Sequence, residues 1–383
     1  MPSSKSTIVL AVDSFKGSAS SAQIESWLDR GITGVIPGTR VVSLPVADGG
    51  EGTVDAFLTL DGTLAHKVWV TGPLGEPAET SFAMLDEQTA VIEVAQSCGI
   101  MLTDRTSSSA RRASSYGVGE QLLAAVHAGA RRVYVGLGGS ATSDGGAGMA
   151  KALGIRMLDC HGCQIPCGLE GLRDLASIDV TGYCRDLAGV EIIALTDVTN
   201  PLVGDDGSVR IYGPQKGIAA CDFDMLDSWM RHYAELLHEV SGIDVAQLPG
   251  AGAAGGIAAA LVALCGARIE RGAEAVLDIS GFDSIVRHAN LVITGEGCLD
   301  SQTISGKVPV SVAARAKRFE KPVIAVVGGR SGDMVPVYEA GIDAVLPVVP
   351  GPVSLDDAIT GVEENVVATG ETIARILRVA NWS

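Results

Sequence analysis

Apolar positions along this 383-residue chain come in two rhythms, and the switches between them mark its elements. Ile8–Val12 is a short, wholly apolar run, the pattern of a strand buried on both faces. Ile24, Trp27, Leu28, Ile32 and Val35 then keep helical spacing up to Gly38, and Ser20 with Gln23 has the form of a capping box. Arg40–Ala47 predicts a second strand, closed by Asp48-Gly-Gly-Glu-Gly52, and Val54, Phe57 and Leu58 begin another helix. This β-α-β-α order opens a parallel sheet.

Near residue 62 the rhythm changes. His66–Thr71 alternates, Gly72-Pro-Leu-Gly75 turns, and Ser81–Leu85 and Ala90–Val94 follow as short strands, which is antiparallel punctuation. A helix is predicted over Gly117–His127. Next comes the stretch Val133–Leu153, in which an apolar run breaks into Gly138-Gly-Ser-Ala-Thr-Ser-Asp144, more glycines and a helix-like segment. Glu191–Leu195 is a strand running into Thr196-Asp197. Asp222 is placed to cap a long helix striped by Leu226, Trp229, Met230, Tyr233, Leu237 and Val240. Parallel-sheet grammar returns near residue 278. Strands are predicted at Leu291–Thr294, Val323–Val327 and Ala344–Val349, helices at Val310–Lys317 and Met334–Glu339, and a last helix after Ser354. The fold class expected is α/β: a doubly wound parallel-sheet domain, flavodoxin- or Rossmann-like, built from residues 1–62 and 278–383. A second, mixed α/β domain, residues 63–277, is inserted into it, with the active site expected in the cleft between them.

Composition narrows the function. The chain is 47% hydrophobic, yet no run approaches the roughly 18 apolar residues of a membrane span. The first residues lead into a strand without a signal-peptide core, so a cytoplasmic location and no membrane partner are expected. With a formal net charge of −17 and no basic tract, nucleic acid is not an expected partner either. Cys160, Cys163 and Cys167, beside His161, form the one cysteine cluster, without the fourth ligand or paired module of a zinc site; a reduced loop is expected.

Six predicted strands end in polar or glycine loops, at Asp13, Asp48, Gly138, Asp197, Glu296 and Gly328. Ligands of open parallel sheets lie at the carboxyl ends of the strands. One Asp there is an ordinary turn former, but four carboxylates beside glycines and hydroxyls point to a site. A Walker loop is absent, since Val308 follows Gly306-Lys307 and Ser301 stands where the leading glycine belongs. Gly250, Gly252 and Gly255 satisfy G-x-G-x-x-G, but Pro249 and a poor preceding strand make this a weak dinucleotide signal. None of the six histidines lies in a strand-end loop, so proton abstraction falls to a carboxylate. Carboxylates, the lysines Lys16, Lys216 and Lys307, and anion-cradling glycines are the parts of metal-assisted phosphoryl transfer.

Longer segments carry a resemblance. Asp13-Ser-Phe-Lys-Gly17, Pro45-Val-Ala-Asp-Gly-Gly-Glu-Gly-Thr53, Val70-Thr-Gly-Pro-Leu-Gly75, Gly138-Gly-Ser-Ala-Thr142, Asp144-Gly-Gly-Ala-Gly148, Asp197-Val-Thr-Asn-Pro-Leu-Val-Gly204, Gly213-Pro-Gln-Lys-Gly217, Pro249–Gly256 and Ile293-Thr-Gly-Glu-Gly297 stand in the order found in the bacterial glycerate kinase family, which the chain resembles over nearly its whole length. The resemblance implies an ATP- and Mg²⁺-dependent enzyme that phosphorylates D-glycerate, to 2-phospho-D-glycerate, in organic-acid catabolism. Departures stand at Val12, Ser143 and Cys298, where the family usually has Pro, Asn and Arg, and in the interrupted run Pro166–Gly168.

Residue type and position then suggest roles. Asp197 is the candidate base, with Asp48 the other candidate and Lys16 beside them in the catalytic set. Glu296 and Asp300 are candidate Mg²⁺ ligands, since a hard cation takes oxygen donors. Lys16, Lys216 and Lys307 would neutralise phosphate or the glycerate carboxylate. The loops Gly138–Ser140 and Gly250–Gly256 would cradle phosphates, through Gly138, Gly139, Ser140, Gly250, Gly252 and Gly255. Asp13, Ser14, Gly49, Glu51, Asp144 and Asn200 complete the candidate binding set. A glycerate 3-kinase, an NAD(P)-dependent hydroxy-acid oxidoreductase and a sugar-acid-binding regulator are the rival readings, and monomer and homodimer stay equally open.

Overall fold

In a computed structural model of the chain, residues 6–44, 46–299 and 307–380 are described. The chain is α/β and divides into two compact units, Met1–Asp48 with Ala273–Ser383, and Gly49–Gly272. No helix of the described residues is long and apolar enough to cross a membrane.

The first unit holds a five-stranded, all-parallel sheet. From one edge to the other the strands are Ala344–Pro347, Val323–Arg330, Leu291–Leu299, Thr7–Val12 and Arg40–Ser43. Numbered within the unit this is the 2-1-3-4-5 order of flavodoxin-like folds, and the switch point lies between Thr7–Val12 and Leu291–Leu299. Both faces are covered. Ile8, Leu10 and Val12 join a core with Ile24, Leu28 and Ile32 of the helix Ser21–Val35, and with Val366, Ile373 and Leu377 of the helix Val362–Val379. The alternate residues Val9, Ala11 and Val292 are equally enclosed, and the helix Val308–Lys317 packs on the sheet. The two helices of the first face cross closely because Gly31 and Gly370 have no side chain. A Cβ on Gly31 would lie 2.3 Å from the Val367 carbonyl oxygen.

The predicted capping box at Ser20 and Gln23 is present, and Ser354 caps the helix Leu355–Thr360 by accepting from the Asp357 N–H at 3.1 Å. Several boundaries differ from expectation, among them the final helix, which is two helices, Leu355–Thr360 and Val362–Val379, parted at Gly361. The second strand stops at Ser43, where the following Leu44 N–H makes a last bond to the Leu10 carbonyl at 2.8 Å, and does not run on to Ala47. Leu291–Leu299 and Val323–Arg330 run on through Glu296 and Gly328-Gly329, so these residues sit within strands.

The second unit carries a six-stranded sheet in the order Arg268–Glu270, Glu191–Leu195, Arg132–Gly136, Thr89–Glu93, Pro77–Met84 and Leu64–Thr71. The first four are mutually parallel, whereas Pro77–Met84 is antiparallel to both its neighbours. The helix Phe223–Ser241 buries Leu226, Met230, Tyr233 and Leu237, as its stripe predicts. Asp222 does not cap it: that side chain pairs with Arg111 at 2.6 Å.

The unit boundary falls at 48/49 instead of near 62, for a packing reason. Residues 49–52 lie against the carboxyl ends of the second unit's parallel strands. A Cβ on Gly49 would be 2.9 Å from the Leu195 Cβ, and one on Gly138 would be 2.4 Å from the Gly50 Cα. Glu93 then accepts from the N–H groups of Gly52 (3.0 Å) and Val54 (3.2 Å), which fixes the start of the helix Thr53–Leu58.

Candidate active site

In the first unit the strand ends at the switch point open into a cavity of about 650 Å³. Asp13 follows directly on Thr7–Val12 and is 6% exposed; its N–H reaches the Gly295 carbonyl at 2.9 Å, and its carboxylate accepts from Ser14 N–H at 2.7 Å. Lys16 Nζ lies 2.8 Å from Asp48 Oδ2, and Lys307 Nζ lies 3.7 Å from Glu296 Oε2. The Asp13 carboxyl is pushed up to about 8: burial is the largest cause, the Asp48 and Glu296 charges add to it, and Lys16 and the Ser14 N–H oppose it. Burial by itself would lower the Lys16 ammonium, but Asp48, Asp13 and Glu296 together hold it above its ordinary value. The candidates Asp13, Ser14, Lys16, Asp48, Glu296 and Lys307 therefore line one cavity. Asp300 lies outside the described residues.

Glu25, which the sequence pattern left unmarked, holds this site from behind. The second strand ends at Ser43, so among the described residues no strand pairs with Val12 on that side. The Val12 N–H donates to Glu25 Oε1 at 3.0 Å, and Ser21 Oγ–H donates to the Val12 carbonyl at 2.6 Å. Both side chains come from the helix Ser21–Val35 and replace the missing strand next to Asp13. Glu25 is 1% exposed, and burial raises its carboxyl well above the ordinary range against weaker opposition from Val12 and Ser43. The signal was available: Ser21 and Glu25 fall on the same stripe as Leu28 and Ile32.

In the second unit, Gly49, Gly138, Gly139, Ser140 and Asp197 gather at the carboxyl ends of the parallel strands. The Asp197 carboxylate is 9% exposed, with Arg271 Nε at 4.0 Å. Lys216, at the end of the helix Ser208–Lys216, is 2% exposed; its Nζ donates to Ser140 Oγ at 3.1 Å and to the Thr142 carbonyl. Burial lowers its ammonium to about 8, against the charges of Cys98 and Asp144.

Several predicted binding residues are engaged within the unit. Asp144 is fully buried and accepts from Ser115 N–H and Oγ–H and from the Gly146 and Gly148 N–H groups at 2.9–3.1 Å. The helix N-terminus that the strand–glycine–helix pattern offered to an outside anion is thus served by the chain's own carboxylate. Asn200 accepts from Tyr212 O–H at 2.6 Å and donates to the Asp206 carbonyl at 2.9 Å. Gly250–Gly256 is interior. The Gly252 N–H bonds the Asn200 carbonyl, and a Cβ on Gly255 would lie 2.1 Å from the Thr142 oxygen. Turns and bends, and no strand, precede this run, so the dinucleotide-fingerprint geometry is missing. Glu51 is exposed near Gly139. Cys160, Cys163 and Cys167 are exposed free thiols.

A doubly wound sheet whose switch-point cavity holds paired carboxylates and lysines defines an α/β protein that handles a small anionic ligand. The glycerate kinase family model matches residues 8–378. The chain is 42% identical to the glycerate 2-kinase of Escherichia coli (strain K12) over 97% of its own length and 98% of that protein's. It is 44% identical to the glycerate kinase of Bacillus subtilis (strain 168), with the same coverage of each. A solved structure from Salmonella typhimurium LT2, assigned as a glycerate kinase 2, superposes with a TM-score of 0.86 at 39% identity, covering 99% of this chain and 100% of that one. The chain belongs to the glycerate kinase family and is a kinase, with ATP the phosphate donor that this implies.

Proposed function

We propose that the protein transfers the γ-phosphoryl group of ATP to the 2-hydroxyl of D-glycerate, giving 2-phospho-D-glycerate and ADP. The observation that carries this reading is end-to-end similarity to the Escherichia coli glycerate 2-kinase, 42% identical over 373 residues. Asp197 accepts the proton of the attacking hydroxyl and orients it, with Asp48 the second candidate for that role. Lys16, Lys216 and Lys307 offset the charge of the phosphates and of the glycerate carboxylate. Such a reaction depends on positioning and charge stabilisation more than on covalent chemistry. A kinase of this kind draws on the cytoplasmic ATP pool.

Mg²⁺ fits the donor set. Glu296 presents a carboxylate to the same cavity as Asp13 and Asp48, and these are hard oxygen donors. Among the described residues no group of three or more His, Cys, Asp or Glu side chains is placed to hold a metal ion. Mg²⁺ is typically held by one or two carboxylates plus substrate phosphates. Glu296 would hold it, with Asp300 the further candidate. When bound, the ion supplies charge neutralisation on the transferring phosphoryl group.

The test is incubation of the purified protein with ATP, Mg²⁺ and D-glycerate, following ADP and offering the product to enolase. ADP formation with immediate enolase turnover is expected. A requirement for phosphoglycerate mutase before enolase would move the reaction to the 3-hydroxyl, and absence of ADP would overturn the reading.

A further inference from the structure

The cavity of the first unit has two unlike kinds of lining. Asp13, Lys16, Asp48, Glu296 and Lys307 contribute polar lining, and Val349, Val353, Leu355 and Ile359, from one later stretch of chain, contribute aliphatic lining. Three of these aliphatic side chains are strongly exposed: Leu355 at 75%, Val353 at 50% and Ile359 at 39%. Leu355 and Ile359 stand four residues apart, on one face of the helix Leu355–Thr360. Gly329 also lines the cavity. A Cβ there would meet no atom of the described residues within 4 Å, so their packing does not require glycine at that position.

D-Glycerate cannot account for this aliphatic lining. It has three carbons, each bearing a hydroxyl or carboxylate, and no apolar face to cover four aliphatic side chains. A cavity of about 650 Å³ is also of a size that suits a larger ligand. Of the two substrates in the proposed reaction, only the nucleotide combines a flat apolar surface with a strongly anionic end. We propose that Val349, Val353, Leu355 and Ile359 form the purine-binding wall for ATP, with the polyphosphate running toward Lys16 and Lys307. The inference rests on the kinase reading and assigns the nucleotide to this unit.

The test uses Leu355→Asp and Val353→Asp, each at an exposed position and each placing a carboxylate where the purine would lie, with Leu355→Met as the conservative control. ADP affinity is measured by titration calorimetry without glycerate, and KM is measured separately for ATP and glycerate. Circular dichroism and Tm verify the fold. Weakening of ADP binding and a rise in KM for ATP by about ten-fold or more are expected in both Asp variants. Leu355→Met should stay within about two-fold of the parent, and KM for glycerate should move less than about two-fold in all three. Unchanged ADP affinity in folded Asp variants, or a rise confined to the glycerate KM, would overturn the assignment, as would a parent protein that binds no ADP. Because the titration omits glycerate, a parent that binds ADP but does not phosphorylate glycerate refutes the proposed reaction and leaves the purine wall measurable.

Discussion

Glu25→Gln and Glu25→Ala should part company, because the carboxyl does two separable things. It accepts the Val12 N–H at 3.0 Å, and it holds a proton that an unfolded chain would release. Alanine removes the acceptor and leaves the Val12 N–H buried without its partner, a cost of about 1–3 kcal/mol. Adding the space left by the deleted side chain gives about 2–4 kcal/mol in all. Since Val12 directly precedes Asp13, the same change loosens one wall of the cavity. The alanine variant should lose kcat as well as several degrees in Tm. Glutamine keeps an acceptor oxygen in the same place and should retain most of the turnover.

The pH dependence provides the sharper comparison. The folded carboxyl titrates well above its ordinary value of 4.5, with burial the leading cause. Between the unfolded and folded values the native state therefore binds a proton that the unfolded state has lost. Stability contributed by this group falls as pH rises through that window, by up to about 1.4 kcal/mol per pH unit. Glutamine cannot titrate, so the stability of Glu25→Gln relative to the parent should climb from pH 5 to pH 8. Denaturant midpoints at pH 5, 6.5 and 8 measure it. A difference constant across that range would show that Glu25 ionises normally and refute the argument from burial.

Asp197→Asn should lower turnover by roughly two or more orders of magnitude in steady-state assays if Asp197 is the base, as loss of one key polar group does; a folded variant within a few-fold of the parent would exclude that role. Lys216, at 2% exposure and about 8, is an ammonium held below its ordinary 10.5, so the unfolded chain binds the extra proton and parental stability should rise between pH 8 and 10.5. The rise is on the order of 3 kcal/mol and should vanish in Lys216→Met, by Tm against pH, while that variant also loses activity. Gly255→Ala places a Cβ 2.1 Å from the Thr142 oxygen at a φ of +68°, so it should destabilise the second unit by about 3 kcal/mol or more, seen as a fall in Tm.

Why some of this was legible in the sequence and some was not follows from the range of the interactions involved. Ile8–Val12 and the stripe Ile24, Leu28, Ile32 are local patterns that one buried face or strand imposes, and they predicted their elements correctly. The helix cap at Ser354 is local too, and held. Asp222 has the residue type of a cap, but Arg111, far away in the chain, takes its carboxylate. The unit boundary has the same origin: residues 49–52 look like a loop closing the first domain, and their contacts with Leu195, Gly138 and Glu93 group them with the second unit.

The glycine-rich loops carry the same lesson into the chemistry. Strand, glycines and helix around Asp144 spell an anion site by composition, but composition does not say whose anion it is. Asp144 occupies that N-terminus itself, and in the Gly250–Gly256 run the chain's own backbone lies close to the glycines, Asn200–Pro201 at Gly252 and Thr142–Gly145 at Gly255 and Gly256. Glycine close to backbone and glycine close to phosphate satisfy the same steric condition, so sequence alone cannot separate them. A buried charge is more discriminating, because it must be stabilised by partners within reach. For that reason the residues most worth substituting are those whose surroundings shift their ionisation: Asp13 and Lys16 at the switch point, Glu25 behind it, and Lys216 against Ser140.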